Sequence, residues 1–253
     1  MPGESSHDAI VLRRRDHGES DRRVTLLTPD RGKVDAVAKG ARKGASRLAA
    51  ATEPIAQFRV TLAKGRATGY ITQVEPRASR TGLRADFARL SAALSLVELY
   101  AAIVPYEEAE PEPYDLLSAS LDAIELHPRP AVAALYCQAR LLELVGVQPS
   151  FATCVVTGKP LDEREPFLSP RAGGYVSYPE AGAFPDRFRS RYEVLVALDR
   201  IGALHSPPAN VKLVELCLAA LLPFWLGFAE TALPATDAFV HQIAADSGAT
   251  LPE

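Results

Sequence analysis

A change of hydrophobic period near residue 80 constrains the fold of this chain more than any other feature of its 253 residues. Before that point apolar residues alternate with polar ones or gather in short β-branched runs; after it they recur every three or four positions. A period of two lines one face of a strand and a period of 3.6 lines one face of a helix, so the two halves must fold differently. The reading is an α+β multidomain protein, β-rich first and helical after.

In the first part, residues 9–12 open one strand and residues 24–28 make a second. Pro29-Asp30-Arg31-Gly32 has the composition of a turn, and residues 33–39 alternate polar and apolar, so the second and third strands form a hairpin. Residues 58–62 and 70–74 form another pair, with Gly65 and Gly69 around their connection. Residues 41–51, rich in Ala, Arg and Lys, suit a short helix between the third and fourth strands. Five strands with a helix in that place are the layout of an OB-fold, although five strands alone also make an SH3-like barrel.

In the second part Phe87, Leu90, Leu94, Val97, Ala101 and Val104 mark one helix, and Tyr114, Leu117, Leu121 and Ile124 a second. An acidic, proline-bearing loop over 105–113 connects them, and residues 131–145 supply a third helix. Prolines and Gly173-Gly174 break the pattern over 149–187; helices resume around 192–201, 210–228 and 237–245. The expected domains are a β-barrel over 1–80, a helical domain over 81–150 and 188–253, and a loop-rich insert over 151–187. The uncharged run over 216–229 contains Pro223 and falls short of the roughly 20 residues that span a bilayer, so a core helix is expected and no membrane partner. Residues 1–8 are polar, with no apolar run behind a basic start, and no secretory signal is expected. Cys137, Cys154 and Cys217 lack paired spacing, which fits a reducing, cytoplasmic setting.

Charge divides at the same place as the period. Residues 13–80 hold 16 Lys+Arg against 7 Asp+Glu, whereas residues 81–253 hold 12 against 22, and the sum is only −3. A basic segment inside a mildly acidic chain points to a polyanion, nucleic acid above all. The candidate contacts are Arg13, Arg14 and Arg15 at the end of the first strand, and Lys39, Arg42, Lys43 and Arg47 around the third strand and short helix. Lys64, Arg66, Arg77 and Arg80 extend the path. Four cations within residues 39–47 repel one another unless an anion visits, which makes that cluster the leading candidate. The basic part has only two aromatics, Phe58 and Tyr70, and both sit in strand patterns that suit core packing. Phosphate neutralisation, steeply salt-dependent, is therefore expected to outweigh base stacking. Arg187, Arg189 and Arg191 are either a second basic patch or a surface helix start.

Catalytic patterns are missing from the sequence. Lys39-Gly40-Ala41-Arg42-Lys43-Gly44-Ala45-Ser46 lacks the spacing and ending of a phosphate-binding loop. His7, His17, His127, His205 and His241 show no metal spacing, and no nucleophile, base and orienter assemble. The expectation is a protein that is not an enzyme and has no cofactor. A nuclease would need carboxylates clustered for magnesium near the basic part. A transcription or translation factor with a basic barrel, and a pure protein adaptor, are the other rivals.

Several short motifs resemble those of the bacterial DNA repair protein RecO family. They are the strand Ala9-Ile10-Val11-Leu12 followed by His17-Gly18-Glu19-Ser20-Asp21, then Leu26-Leu27-Thr28, Gly32-Lys33, Ala38-Lys39-Gly40-Ala41-Arg42-Lys43 and Ser46, with Pro54 and the 60–65 strand beyond. The resemblance extends over essentially the whole chain. It implies an N-terminal OB-fold β-barrel, an α-helical bundle and a small zinc-finger-like insert. It implies binding of single- and double-stranded DNA, annealing of complementary strands, and work with RecR to load RecA on DNA covered by single-strand binding protein. RecF is a further candidate partner, and the location implied is cytoplasmic and nucleoid-associated.

One departure stands out within the resemblance. Many RecO-like proteins carry two cysteine pairs for zinc. Here the first pair reads Cys154-Val155-Val156-Thr157, and the second region, after Gly173-Gly174, has Ser177 and Glu180 at the ligand positions. One cysteine of four remains, so the insert is expected to lack zinc and to be held by packing of Phe151, Phe167, Tyr175 and Tyr178.

Overall fold

A computed structural model describes residues 3–43, 46–65, 68–162 and 165–249. The chain divides into two compact units, Met1–Glu125 and Leu126–Glu253.

Five strands open the first unit: β1 (Glu4–His17), β2 (Asp21–Thr28), β3 (Gly32–Ala38), β4 (Gln57–Ala63) and β5 (Gly69–Ala78), with the single turn α1 (Leu48–Ala51) between β3 and β4. They close into a barrel in the order β1-β2-β3-β5-β4. Every pairing is antiparallel except β3 with β5, which run parallel through Ala36↔Gly69 and Val37↔Tyr70. This is the OB-fold arrangement, and the SH3-like alternative falls away.

Small side chains fill the barrel. Val24, Leu26, Val34, Ala36 and Ala38 face Ala9, Val11, Val60, Leu62 and Ile71 in one core. The outward residues Ile10, Leu12 and Leu27 are buried as well, because a helix packs against β1. Residues 9–12 are thus covered on both faces, and the apolar run has no alternation.

Two local expectations need correction. β1 is 14 residues long, so Arg13, Arg14 and Arg15 lie inside the strand and not at its end. Hydrogen bonding to β2 continues past a bulge between Val11 and Arg13, and hydrophobic alternation reports only the buried part of a ladder. Of the helix expected over 41–51, the described residues show only the four-residue Leu48–Ala51, while Gly40 turns the chain at φ +64° and residues 40–43 form a turn; residues 44 and 45 lie outside the described residues.

Three helices complete the first unit: α2 (Thr81–Ala85), α3 (Phe87–Ile103) and α4, which spans Pro111–Leu126. Asp86 caps α3 by accepting the Arg89 N–H at 2.8 Å. Lys33 anchors β3 to this layer: its Nζ donates to the Ala101 carbonyl at 2.8 Å and lies 4.4 Å from the Tyr106 ring centre. Burial, reinforced by the nearby Arg13 charge, pulls the Lys33 ammonium down to about 8.

In the second unit α5 (Pro130–Leu144), α7 (Tyr192–Gly202), α8 (Val214–Ala229) and α9 (Pro234–Ser247) pack together. Trp225 and Gln138 are both buried, and the indole N–H donates to Gln138 Oε1 at 2.8 Å. The insert lies between α5 and α7. Its strands β6 (Phe167–Ser169), β7 (Gly174–Val176) and β8 (Phe188–Arg189) form a sheet in the order β7-β6-β8, with the single turn α6 (Tyr178–Ala181) after β7. Among the described residues no helix is long and apolar enough to cross a membrane.

Candidate nucleic-acid interface

Pairing register places the basic residues on faces. Arg15 lies opposite Arg23, Arg23 opposite Val37, and Val37 opposite Tyr70, so one row crosses β1, β2, β3 and β5. Directly paired residues share a face, and Val24 and Ala36, neighbours in the next row, belong to the core. The row therefore points outward. Arg13, Thr25 and Asp35 form the row beside it. An outer face of strands 2 and 3 flanked by the 1–2 and 4–5 loops is where OB-folds receive oligonucleotides.

Tyr70 corrects the expectation of core packing. It lies outside the barrel core, half-exposed, with the Lys39 ammonium 4.2 Å from its ring centre. Phe58 does pack against the barrel core. Gly65 in the 4–5 loop passes so close that a Cβ there would sit 2.8 Å from the Tyr70 ring. The outer face thus offers an aromatic surface with a cation over it, a pairing suited to stacked bases and their phosphates.

The turn carrying Lys39, Arg42 and Lys43 is held from the β1–β2 loop. Asp21 Oδ1 accepts the Gly40 N–H at 2.8 Å, and the Arg42 N–H donates to the Ser20 carbonyl at 2.9 Å. The Gly40 bond, helped by Ser20, keeps the Asp21 carboxyl below its ordinary range. Lys39, Arg42 and Lys43 are all exposed; Arg42 leans on Asp16 at 3.4 Å.

The other candidates separate. Arg15, Lys43, Arg47 and Lys64 are exposed and Arg13 half-exposed, and none of the five makes an ion pair among the described residues. Arg14 lies opposite the core residue Val24, and its guanidinium meets Glu53 at 3.0 Å, a carboxylate shared with Arg22. Arg77 pairs with Asp8 at 2.9 Å. Arg80 is withdrawn from the surface: its side chain is 7% exposed and bonds Asp122 at 2.7 Å, Gln57 at 2.6 Å and Ser118 at 3.0 Å. Arg66 lies outside the described residues. Arg23 was missed by sequence reasoning; it is 45% exposed and donates two hydrogen bonds to Asp35. Its place in strand alternation with Val24 was the signal that could have found it.

Cys154, Thr157 and Ser177 stand where the resemblance would put zinc ligands. The Cys154 sulfur accepts the Ser177 N–H at 3.3 Å and faces the Ser177 hydroxyl at 3.5 Å. Burial pushes this thiol up, but hydrogen bonds from Ser177 and Thr157 together outweigh it and bring the thiol down to about 6. One thiol among hydroxyls is not a donor set for structural zinc, which takes Cys and His. Among the described residues no group of three or more His, Cys, Asp or Glu is placed to hold a metal ion.

The chain matches the families described as Recombination protein O N terminal over residues 1–80 and Recombination protein O C terminal over residues 84–221. It is 38% identical over 172 residues to the DNA repair protein RecO of Heliobacterium modesticaldum, covering 66% of this chain and 62% of that protein. The RecO of Symbiobacterium thermophilum is 38% identical over 154 residues, 60% of each chain. The RecO of Bifidobacterium longum is 38% identical over 172 residues, 66% of this chain and 70% of that protein. The matched stretch thus spans 62% and 60% of the length of the first two relatives. With family matches on both the barrel and the helical region, the chain belongs to the RecO family.

Proposed function

We propose that this protein is a DNA-binding recombination mediator of DNA repair, not an enzyme, whose residues 1–80 hold single- and double-stranded DNA. The observation that carries the reading is the outward row Arg15, Arg23, Val37 and Tyr70, with Lys39 over the tyrosine ring. Arg13, Arg42, Lys43, Arg47 and Lys64 extend it as phosphate contacts. Such contacts release counterions and are indifferent to sequence. A cationic face that holds one strand lowers the repulsion felt by its complement, and this supports annealing.

In this reading the helical regions, 81–150 and 188–253, take the protein partners. Those partners are RecR, single-strand binding protein, RecA through the loading step, and RecF. The site of action is cytoplasmic and nucleoid-associated. A strand-annealing assay with and without RecR, at low and high salt, tests the proposal. Annealing should be fast at low salt, respond to RecR, and collapse at high salt with DNA binding. DNA affinity that is flat with salt would sink the electrostatic account, and preference for one sequence or for RNA would favour a transcription or translation factor.

A further inference from the structure

The insert carries an aromatic surface that the barrel does not use. Phe167 on β6 pairs with Arg189 on β8. The Arg189 guanidinium lies 5.6 Å from the Phe167 ring centre and that of Arg187 lies 6.0 Å away. Tyr178 tilts against the same ring at 6.2 Å and is 69% exposed, among the most exposed large hydrophobic side chains of the described residues. Burial does not explain an exposed tyrosine beside a half-buried phenylalanine under two guanidinium groups. Planar, π-faced groups interleaved with cations present one surface to bases and another to phosphates.

Further cations follow along the chain. Arg187 and Arg189 are followed by Arg191, which lines a cleft of about 630 Å³ together with Arg129 and Lys212. Glu193 and Glu215 line it too, each in the first turn of a helix, where the dipole favours a carboxylate. Glu165 pairs with Arg189 at 3.1 Å, but both are more than half exposed, and ion pairs so exposed yield readily to a competing phosphate.

We propose that Phe167, Tyr178, Arg187 and Arg189 form a second nucleic-acid site that takes unpaired DNA by stacking a base on the exposed Tyr178 ring, which Phe167 and the two guanidinium groups back. It rests on the DNA-binding reading above and adds to it a place for unstacked bases, apart from the barrel. Duplex DNA, whose bases are already stacked, gains nothing there.

The test uses the full chain and two probes, a dye-labelled single-stranded oligo(dT) and a duplex of equal length, followed by anisotropy. Tyr178→Ala should weaken oligo(dT) binding roughly tenfold, a stacking loss, while duplex affinity stays within about twofold. Its salt slope should match that of the unchanged protein, because every phosphate-binding cation is retained. Tyr178→Phe keeps the ring and should bind oligo(dT) normally. Arg189→Ala should weaken oligo(dT) binding and flatten the salt slope. Oligo(dT) affinity unchanged in Tyr178→Ala overturns the proposal and leaves the surface to a protein. Equal losses for both probes overturn it as well, since stacking would not be the cause. Charge reversal at Lys39 and Arg42 should weaken both probes, and that result stands or falls with the barrel reading alone.

Discussion

The Asp21 carboxylate accepts the backbone N–H of Gly40 at 2.8 Å, joining the loop after β1 to the turn after β3. Gly40 sits at φ +64°, a conformation that glycine adopts without strain, and the turn it makes displays Lys39, Arg42 and Lys43. A short acidic motif near residue 20 and a basic motif near residue 40 are therefore one structural unit. Asp21→Ala should release the turn while leaving the barrel intact. Amide exchange at Gly40 and Arg42 should quicken and DNA affinity should fall. Unchanged exchange at Gly40 would show that the carboxylate does not hold it. Because the Asp21 carboxyl titrates below its ordinary range, the clamp is fully present above the unfolded carboxylate range near 3.9 and is lost as pH falls through its lower folded value.

Charge reversal on the barrel face addresses the phosphate-binding cations. Lys39→Glu and Arg42→Glu should each lower DNA affinity across unrelated sequences. On duplex DNA the log–log salt dependence should flatten by about 0.9 for each phosphate that is no longer neutralised. Arg80→Met should not act this way, because Arg80 is buried against Asp122, Gln57 and Ser118. Its loss should cost roughly 2 kcal/mol of stability, read by denaturant melting, with DNA affinity of the folded protein preserved.

Tyr70→Ala separates stacking from charge on the same face. If bases stack beside Lys39, single-stranded binding should weaken by roughly 1–3 kcal/mol for each base that no longer stacks, and the salt slope should change little. A loss confined to the salt slope would mean that Tyr70 serves only to position Lys39.

Gly32 tests the seam between barrel and helices. It sits at φ +62°, and a Cβ added there would lie 2.0 Å from the Glu108 carbonyl oxygen. Gly32→Ala should cost at least about 1–2 kcal/mol from the left-handed backbone alone, with the clash adding to it. Thermal melting would show this, and an unchanged midpoint would rule out the close approach.

Cys154 gives the insert its own pH signature. An unfolded thiol titrates near 8.5 and this one near 6, so the fold favours the thiolate. Its contribution is full above about 8.5 and is lost as pH falls through about 6. Thiolate absorbance should show an inflection near pH 6 that disappears in Cys154→Ala. Metal analysis of the purified protein should find no stoichiometric zinc.

The switch from strand to helix near residue 80, the order of the five strands and the basic character of the first region were all legible in the sequence. These are local or compositional properties: side-chain period and charge are carried by neighbours in the chain. Which cations share a face was a matter for tertiary structure alone. Arg14 and Arg15 are adjacent in sequence, yet Arg14 turns to Glu53 while Arg15 joins Arg23, Val37 and Tyr70. Arg80 looked like any other basic residue, and only its long-range partners Gln57 and Asp122 remove it from the surface. Tyr70 read as a core residue because a strand pattern shows alternation without saying which face is inside. The parallel β3–β5 pairing settles that question. It joins residues more than thirty positions apart, a contact that no local pattern encodes.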